Sequence, residues 1–491
     1  MKKVSRRGIL AALAVLISLT SGCMAPASPT AAVSAPALPV VATPSPTATP
    51  APAGDPNHYY TVSEGNLQGI VNGLGQTVLP IEYQAAYVME WNDAPAFLLV
   101  VPSNPSVVVP PDDEALLLNL DGTPLTNKKC RQADPLSDSL IDYMSLDYKY
   151  GVMTYDGTDV VPDLYGDIRM CSDSIIAVSS GDDGSHIDVY DTQGALQCSG
   201  SFNLYDVAGD LLVVSDAAGQ NYGLVNTQLN EIVPADCSAI TYAGSGLYVI
   251  CRNAKYGVVN SQGSEVVPLT FDVIEAYTCG DRDTPYFSAS SSNGAYVFDS
   301  SGKQLLYLEG YVSVMLDGDI LIAHDSIGLC HYLADGKDVI PPGSFMTWDD
   351  EAQIIISGSY AACVCYTKDG KKLPLPIANS VEIISPDRFV FRERSSYYYG
   401  ICNADGEIIV PAVYSSMFAF GDEGLVIFSK KEAGKYTQSL IDSVSGKILL
   451  DGYDSLWIAG GGLFVVQIGD THGIVDVNGS WVWKSDKYGT Y

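Results

Sequence analysis

Tyr399-Gly400-Ile401-Cys402-Asn403-Ala404-Asp405-Gly406-Glu407-Ile408-Ile409-Val410-Pro411 carries a complete folding instruction. Apolar residues flank an Asn-x-x-Gly centre, the arrangement of a β-hairpin. The glycine supplies the positive φ that closes the turn, and the asparagine side chain bonds nearby backbone amides. Proline then ends the second arm, because it has no N–H to donate to a ladder. The same order returns along the chain: Tyr256-Gly257 leads to Pro268, Tyr150-Gly151 to Pro162, Tyr222-Gly223 to Pro234 and Gln68-Gly69 to Pro80. In all five copies the proline stands eleven residues after the glycine. An aromatic segment follows, as at Phe271, Tyr165, Tyr414 and Tyr83. A second apolar strand comes next, such as Gly246-Leu247-Tyr248-Val249-Ile250, Gly424-Leu425-Val426-Ile427 or Gly462-Leu463-Phe464-Val465-Val466. Each unit therefore offers three or four short strands.

Traced through weaker copies, the turn position falls at Gly75, Gly122, Gly157, Gly194, Leu229, Gly263, Gly302, Gly336, Gly370, Gly406, Gly446 and Gly479. From Gly75 to Gly479 is 404 residues in eleven intervals, a period of about 37. Leu229 marks a copy that has lost its glycine. Helical periodicity is absent after residue 58. The chain is thus expected to be an all-β repeat protein of about twelve small antiparallel units, β-propeller-like as one or two rings. An open stack of hairpins is the alternative. Well-formed and weak copies tend to alternate, but Gly223 and Gly257 begin two good ones in succession. That slip predicts two β domains, 58–255 and 256–491.

These residues resemble the WG-repeat proteins of bacteria, whose units open on an aromatic-Gly pair and run through an Asx-x-x-Gly turn to Val-Val-Pro-x-x-Tyr. Here the aromatic is mostly Tyr, it is His472-Gly473 in the last unit, and about half the copies lack it. The resemblance implies architecture over roughly residues 65–485 and almost nothing about chemistry.

Ahead of the repeats, Lys2, Lys3, Arg6 and Arg7 precede an apolar run from Gly8 to Leu19 and then Thr20-Ser21-Gly22-Cys23. The run is too short to span a bilayer comfortably and has the flanks of an export signal. It resembles a bacterial lipoprotein signal, which implies cleavage after residue 22, a lipid on Cys23 and attachment to the extracytoplasmic face of the cell membrane. Thr20 stands where that family usually has leucine. Ser5-Arg6-Arg7-Gly8-Ile9-Leu10 also resembles a twin-arginine signal. From Cys23 through residue 57 the chain is almost wholly Ala, Pro, Ser, Thr and Val with no charge before Asp55, the composition of an extended tether.

Removing residues 1–22 leaves 22 Lys and Arg against 57 Asp and Glu, a balance of −35. Such a surface argues against nucleic acid as a partner, since phosphate needs basic side chains. The ten cysteines beyond Cys23 include no Cys-x-x-Cys pair. Several of them, such as Cys251 and Cys402, sit at apolar strand positions, which predicts buried free thiols.

The candidate chemical groups weigh poorly against the repeat. Asp112-Asp113-Glu114, Asp182-Asp183-Gly184 and Asp317-Gly318-Asp319 lack the alternating spacing of a calcium loop and read as polar turns. His324-Asp325-Ser326 has the residue types of a hydrolase triad, but triads converge from separate segments. His58, His186, His331 and His472 are too scattered for zinc. Gly-x-Ser-x-Gly, Walker and dinucleotide loops are all absent. Neither a metal nor a cofactor is expected, and no catalytic residue is assigned. The 31 tyrosines mostly occupy repeat positions, while Tyr397-Tyr398 beside Tyr399 exceeds the repeat's needs. The resulting expectation is a membrane-anchored binding or scaffolding platform for a glycan, cell-wall polymer or protein. The alternative is a propeller enzyme acting on an extracellular glycan or peptide.

Overall fold

In the five units that combine glycine with a proline eleven residues on, the last strand makes the same detour. Tyr399 faces Tyr414 but Ile401 faces Val410, so two extra residues of the last strand cross over Gly400. The same two-residue shift occurs opposite Gly69, Gly151, Gly223 and Gly257. The crossing leaves no room for a side chain, since a Cβ on Gly400 would stand 2.6 Å from the Val410 carbonyl oxygen. Proline, needing no ladder partner, marks the start of the detour. Where Tyr296 takes the glycine's place, the last strand Gln304–Leu308 pairs straight past it, Tyr296 facing Tyr307.

The computed structural model describes residues 54–103, 114–179, 185–278, 284–317, 320–334, 337–359, 362–420, 424–432 and 434–487. The expected signal, Cys23 and nearly all of the tether lie outside them. So do Asp112, Asp113, Asp182, Asp183, Gly184, Cys279, Gly318, Asp319 and Gly336. The described elements are all β-strands, paired antiparallel in sequence order. The sixth unit shows the pattern: Ala239–Gly244, Leu247–Arg252, Lys255–Asn260 and Glu265–Phe271 form one four-stranded sheet. In larger sheets two units share one long strand, Thr77–Trp91 or Asp159–Cys171. The first unit has three strands among the described residues, beginning at Tyr59–Glu64.

The turns close as expected. The Asn403 Oδ1 accepts the amides of Asp405 at 3.1 Å and Glu407 at 2.9 Å, and Gly406 has φ +79°. Asn260 and Asp476 repeat this bonding in their own turns. Leu229 adopts φ +59° without being glycine, and its side chain packs on the neighbouring core.

A single unit cannot bury both faces of its sheet, so the core lies between units. Each of the twelve buried apolar clusters joins two consecutive units. The series includes the pair at the two ends: Leu463 and Ile474 of the twelfth unit pack on Tyr60, Val62 and Val71 of the first. Hydrogen bonds cross the same seam, from the Tyr60 hydroxyl to the Gly460 carbonyl at 3.0 Å and from the Gly65 amide to the Lys487 carbonyl at 2.9 Å. His472 Nε2 lies 2.9 Å from the Ser63 carbonyl oxygen. The turn glycine of one unit rests on the last strand of the unit before. A Cβ on Gly263 would lie 2.6 Å from Ile232 O, and one on Gly75 would lie 2.3 Å from Val482 O. First and last units therefore meet as any other neighbours do, and the array is one closed ring rather than an open stack.

Residues 255 and 256, where two domains were expected to divide, are adjacent in the strand Lys255–Asn260. Its sheet packs on the fifth unit through Tyr248 and Ile250 and on the seventh through Val249 and Val258.

Two outcomes follow for stability. Gly406→Ala places a Cβ at positive φ and 2.2 Å from the Pro374 carbonyl oxygen, and is expected to cost about 1–3 kcal/mol in urea unfolding. Ile474→Ala, at the seam, should cost about 2–4 kcal/mol, as much as Ile250→Ala inside the array; a much smaller loss at Ile474 would mean an open end.

Candidate functional site

The side chains that vary from unit to unit lie on the first strand. There a buried residue, such as Ile168, Ile274 or Leu456, enters the interface between units. Strand alternation sends the next residue to the opposite face. That next residue is Tyr87, Asp134, Arg169, Glu275, Met315, Glu382 or Trp457, according to the unit. The turns, by contrast, keep their chemistry. A position with a fixed backbone place and changing chemistry is where a repeat array can carry specificity without altering its fold.

Several of these first strands present large aromatic surface to solvent. Tyr87 is 51% exposed and Trp457 is 55% exposed, while Tyr205 and Phe418, at bulges one register away, are 59% and 48% exposed. Phe418, Trp457 and Tyr87 belong to units eleven, twelve and two, the last two of which adjoin the first unit.

A cleft of about 410 Å³ opens where the first strands of the seventh and eighth units, Val273–Tyr277 and Tyr311–Asp317, approach each other. The latter strand lies across the second and third strands of the seventh unit, closer than is usual between neighbours. Glu275, Tyr277, Ser288 and Ser290 form one wall; Val312, Met315, Ile322 and His324 form the other, with Met346 of the ninth unit. The Tyr277 hydroxyl donates to Glu275 Oε2. Burial, reinforced by that carboxylate, holds the phenol protonated far above the ordinary tyrosine range. A more open hollow of about 630 Å³ beside Tyr332, Gln353 and Asp369 is bordered by turn residues that bond one another, Thr367 donating to Asp369.

The motif His324-Asp325-Ser326 does not form a triad. His324 lines the cleft, whereas Asp325 Oδ1 caps a turn by accepting the amides of Ile327 at 3.0 Å and Leu329 at 2.8 Å. Asp325 Oδ2 lies 3.3 Å from His331 Nε2, and Asp338 Oδ1 lies 2.9 Å from His331 Nδ1. Burial lowers the His331 pKa, but hydrogen bonds to Asp338 and Asp325 outweigh it and the net shift is upward. His58 stacks on Tyr60, His186 Nε2 stands 3.2 Å from Asp188, and His472 belongs to the seam. Glu114 pairs with Lys129 at 2.6 Å. Among the described residues, no three His, Cys, Asp or Glu side chains are placed to hold a metal ion. Nine described cysteines are free, seven of them buried; burial pushes the thiols of Cys130, Cys365 and Cys402 up to about 12 and makes them poor nucleophiles. Arg392 lies 5.2 Å from the Tyr397 ring and 5.4 Å from Tyr399, which accounts for two of the three consecutive tyrosines.

One acidic group went unnoticed in the sequence. Asp142 faces Asp134 directly across two antiparallel strands, with Asp167 nearby. Burial first, then the Asp134 carboxylate, raises the Asp142 pKa to about 7.

Comparison with known proteins fits the repeat. The family model described as WG containing repeat matches residues 256–280 and 399–436. No curated protein matches the sequence. Among solved structures, a eukaryotic initiation factor is 11% identical over 72% of this chain and 96% of its own, with a TM-score of 0.31. BamB from Moraxella catarrhalis is 11% identical over 54% of this chain and 93% of its own, with a TM-score of 0.26. A tricorn protease is 16% identical over 70% of this chain and 42% of its own, with a TM-score of 0.19. Likeness at these scores carries no functional argument.

The folded pKa of Asp142 lies above the unfolded carboxylate value, so its contribution to stability is lost as pH rises from about 4 through 7. Asp142→Asn, neutral throughout, should therefore match the parent near pH 4 and exceed it in Tm at pH 8. A pH-independent difference between the two melting curves would contradict the assignment.

Proposed function

We propose that this chain is a lipid-anchored binding protein of the extracytoplasmic face. Cys23 carries the lipid, residues 24–57 are the tether, and the ring presents its first-strand side chains to a glycan or cell-wall polymer. The observation that carries this reading is the group of exposed rings on equivalent strands, Tyr87, Phe418 and Trp457. The flat apolar faces of Tyr and Trp suit the C–H faces of sugar rings. The formal charge of −31 favours neutral or cationic polymers over phosphate-rich ones.

The enzymatic alternative draws on Glu275 and His324, which reach one cleft from two units. Glycoside hydrolysis by the usual route needs a pair of carboxyl groups flanking the scissile bond, and Glu275 is the sole acid among the described residues lining this cleft. Binding is therefore the better supported function.

A glycan and peptide array probed with the purified head, with and without EDTA, should reveal a polymer ligand whose binding is unaffected by chelation. Trp457→Ala and Tyr87→Ala should each weaken it by roughly tenfold. Hydrolysed products, or full binding by the double variant, would refute the reading. Metabolic labelling with palmitate should mark the parent chain and not Cys23→Ser.

A further inference from the structure

The cleft between the seventh and eighth units differs from the aromatic platform in its chemistry. Among the described residues its only acid is Glu275, and much of its remaining lining is apolar: Val312, Met315, Ile322 and Met346. The Tyr277 ring is half-buried and its hydroxyl is spent on Glu275 Oε2, which fixes that carboxylate and leaves the other oxygen free to accept. The sulfur-bearing side chains Met315 and Met346 are unbranched and polarisable, and adapt to apolar ligands of varied outline. The volume of about 410 Å³ falls in the range of small-molecule sites. Tyr277 is the one aromatic ring among the described lining residues, and its hydroxyl is committed to Glu275.

The cleft lies where two weak copies of the repeat meet. Tyr296 replaces the glycine over which the last strand normally crosses, and that strand runs straight instead. The eighth unit then brings its first strand across the second and third strands of the seventh.

We propose that this cleft binds a small organic amine, its ammonium group paired with Glu275 and its apolar body laid against Met315, Ile322 and Met346. A carboxylate at the mouth of an apolar slot, in a chain of strongly negative charge, selects cations with a hydrophobic body and repels anions of the same shape. Ser288 and Ser290 stand beside Glu275 to accept further N–H donors. The proposal does not use the exposed rings Tyr87, Phe418 and Trp457, none of which lines the cleft.

The test is calorimetric titration of the full chain with n-hexylamine, hexan-1-ol and hexanoate at physiological ionic strength. The amine should bind on the order of tenfold more tightly than the alcohol, and hexanoate should not bind. Glu275→Gln should erase the preference for amine over alcohol. Met315→Trp, which fills the slot, should abolish binding of both, while Glu231→Gln, an exposed acid elsewhere, should change nothing. Unchanged circular dichroism in each variant keeps the comparison valid. Equal binding of amine and alcohol, no binding of either, an amine preference that survives Glu275→Gln, or an equal loss on Glu231→Gln would each overturn the proposal. None of these results would alter glycan binding through Trp457, so the two readings fail separately.

Discussion

Burial between neighbouring sheets is the constraint on which the rest of this molecule depends. A sheet of four short strands has two faces and no interior, so a lone unit would leave Ile250 or Ile474 in water. Stacking solves this for every unit except those at the ends. Closing the ring solves it for those as well, because Tyr60, Val62 and Val71 receive Leu463 and Ile474. The seam has polar contacts too, including the Lys487–Glu64 pair at 2.9 Å, but that pair is exposed and adds little beside the buried aliphatic surface.

The two glycines of the unit serve this packing in different ways. The turn glycine allows a left-handed backbone and lies against the preceding unit, while the glycine of the aromatic-Gly pair leaves space for the last strand to cross. Loss of the first is tolerated at Leu229, whose side chain gains core contacts. Where Tyr296 stands in place of the second, the last strand pairs straight past it, as it also does past Gly473, which lacks the proline eleven residues on.

Chemistry is thereby separated from scaffold. Turn oxygens on Asn403, Asn260 and Asp476 are occupied by backbone amides, and seven of the nine described thiols are buried. What remains accessible is the first strand of each unit, where aromatic, acidic, basic and thioether side chains succeed one another in one backbone position.

The sequence by itself determined the unit, its period, the hairpin at Asn403 to Gly406, the fixed distance from glycine to proline and the burial of residues such as Cys402. All of these follow from interactions within a few residues, where turn geometry and strand alternation act directly. The shared cleft of Glu275 and His324, the carboxyl pair Asp134–Asp142, the two aspartates around His331 and the choice of ring over stack were decided only by the tertiary structure. Each depends on a register between strands or on contact between distant units, and the seam joins residues some 400 positions apart, such as Tyr60 and Gly460. Local pattern carries no record of such a meeting, because both ends of an array repeat the same motif whether or not they touch.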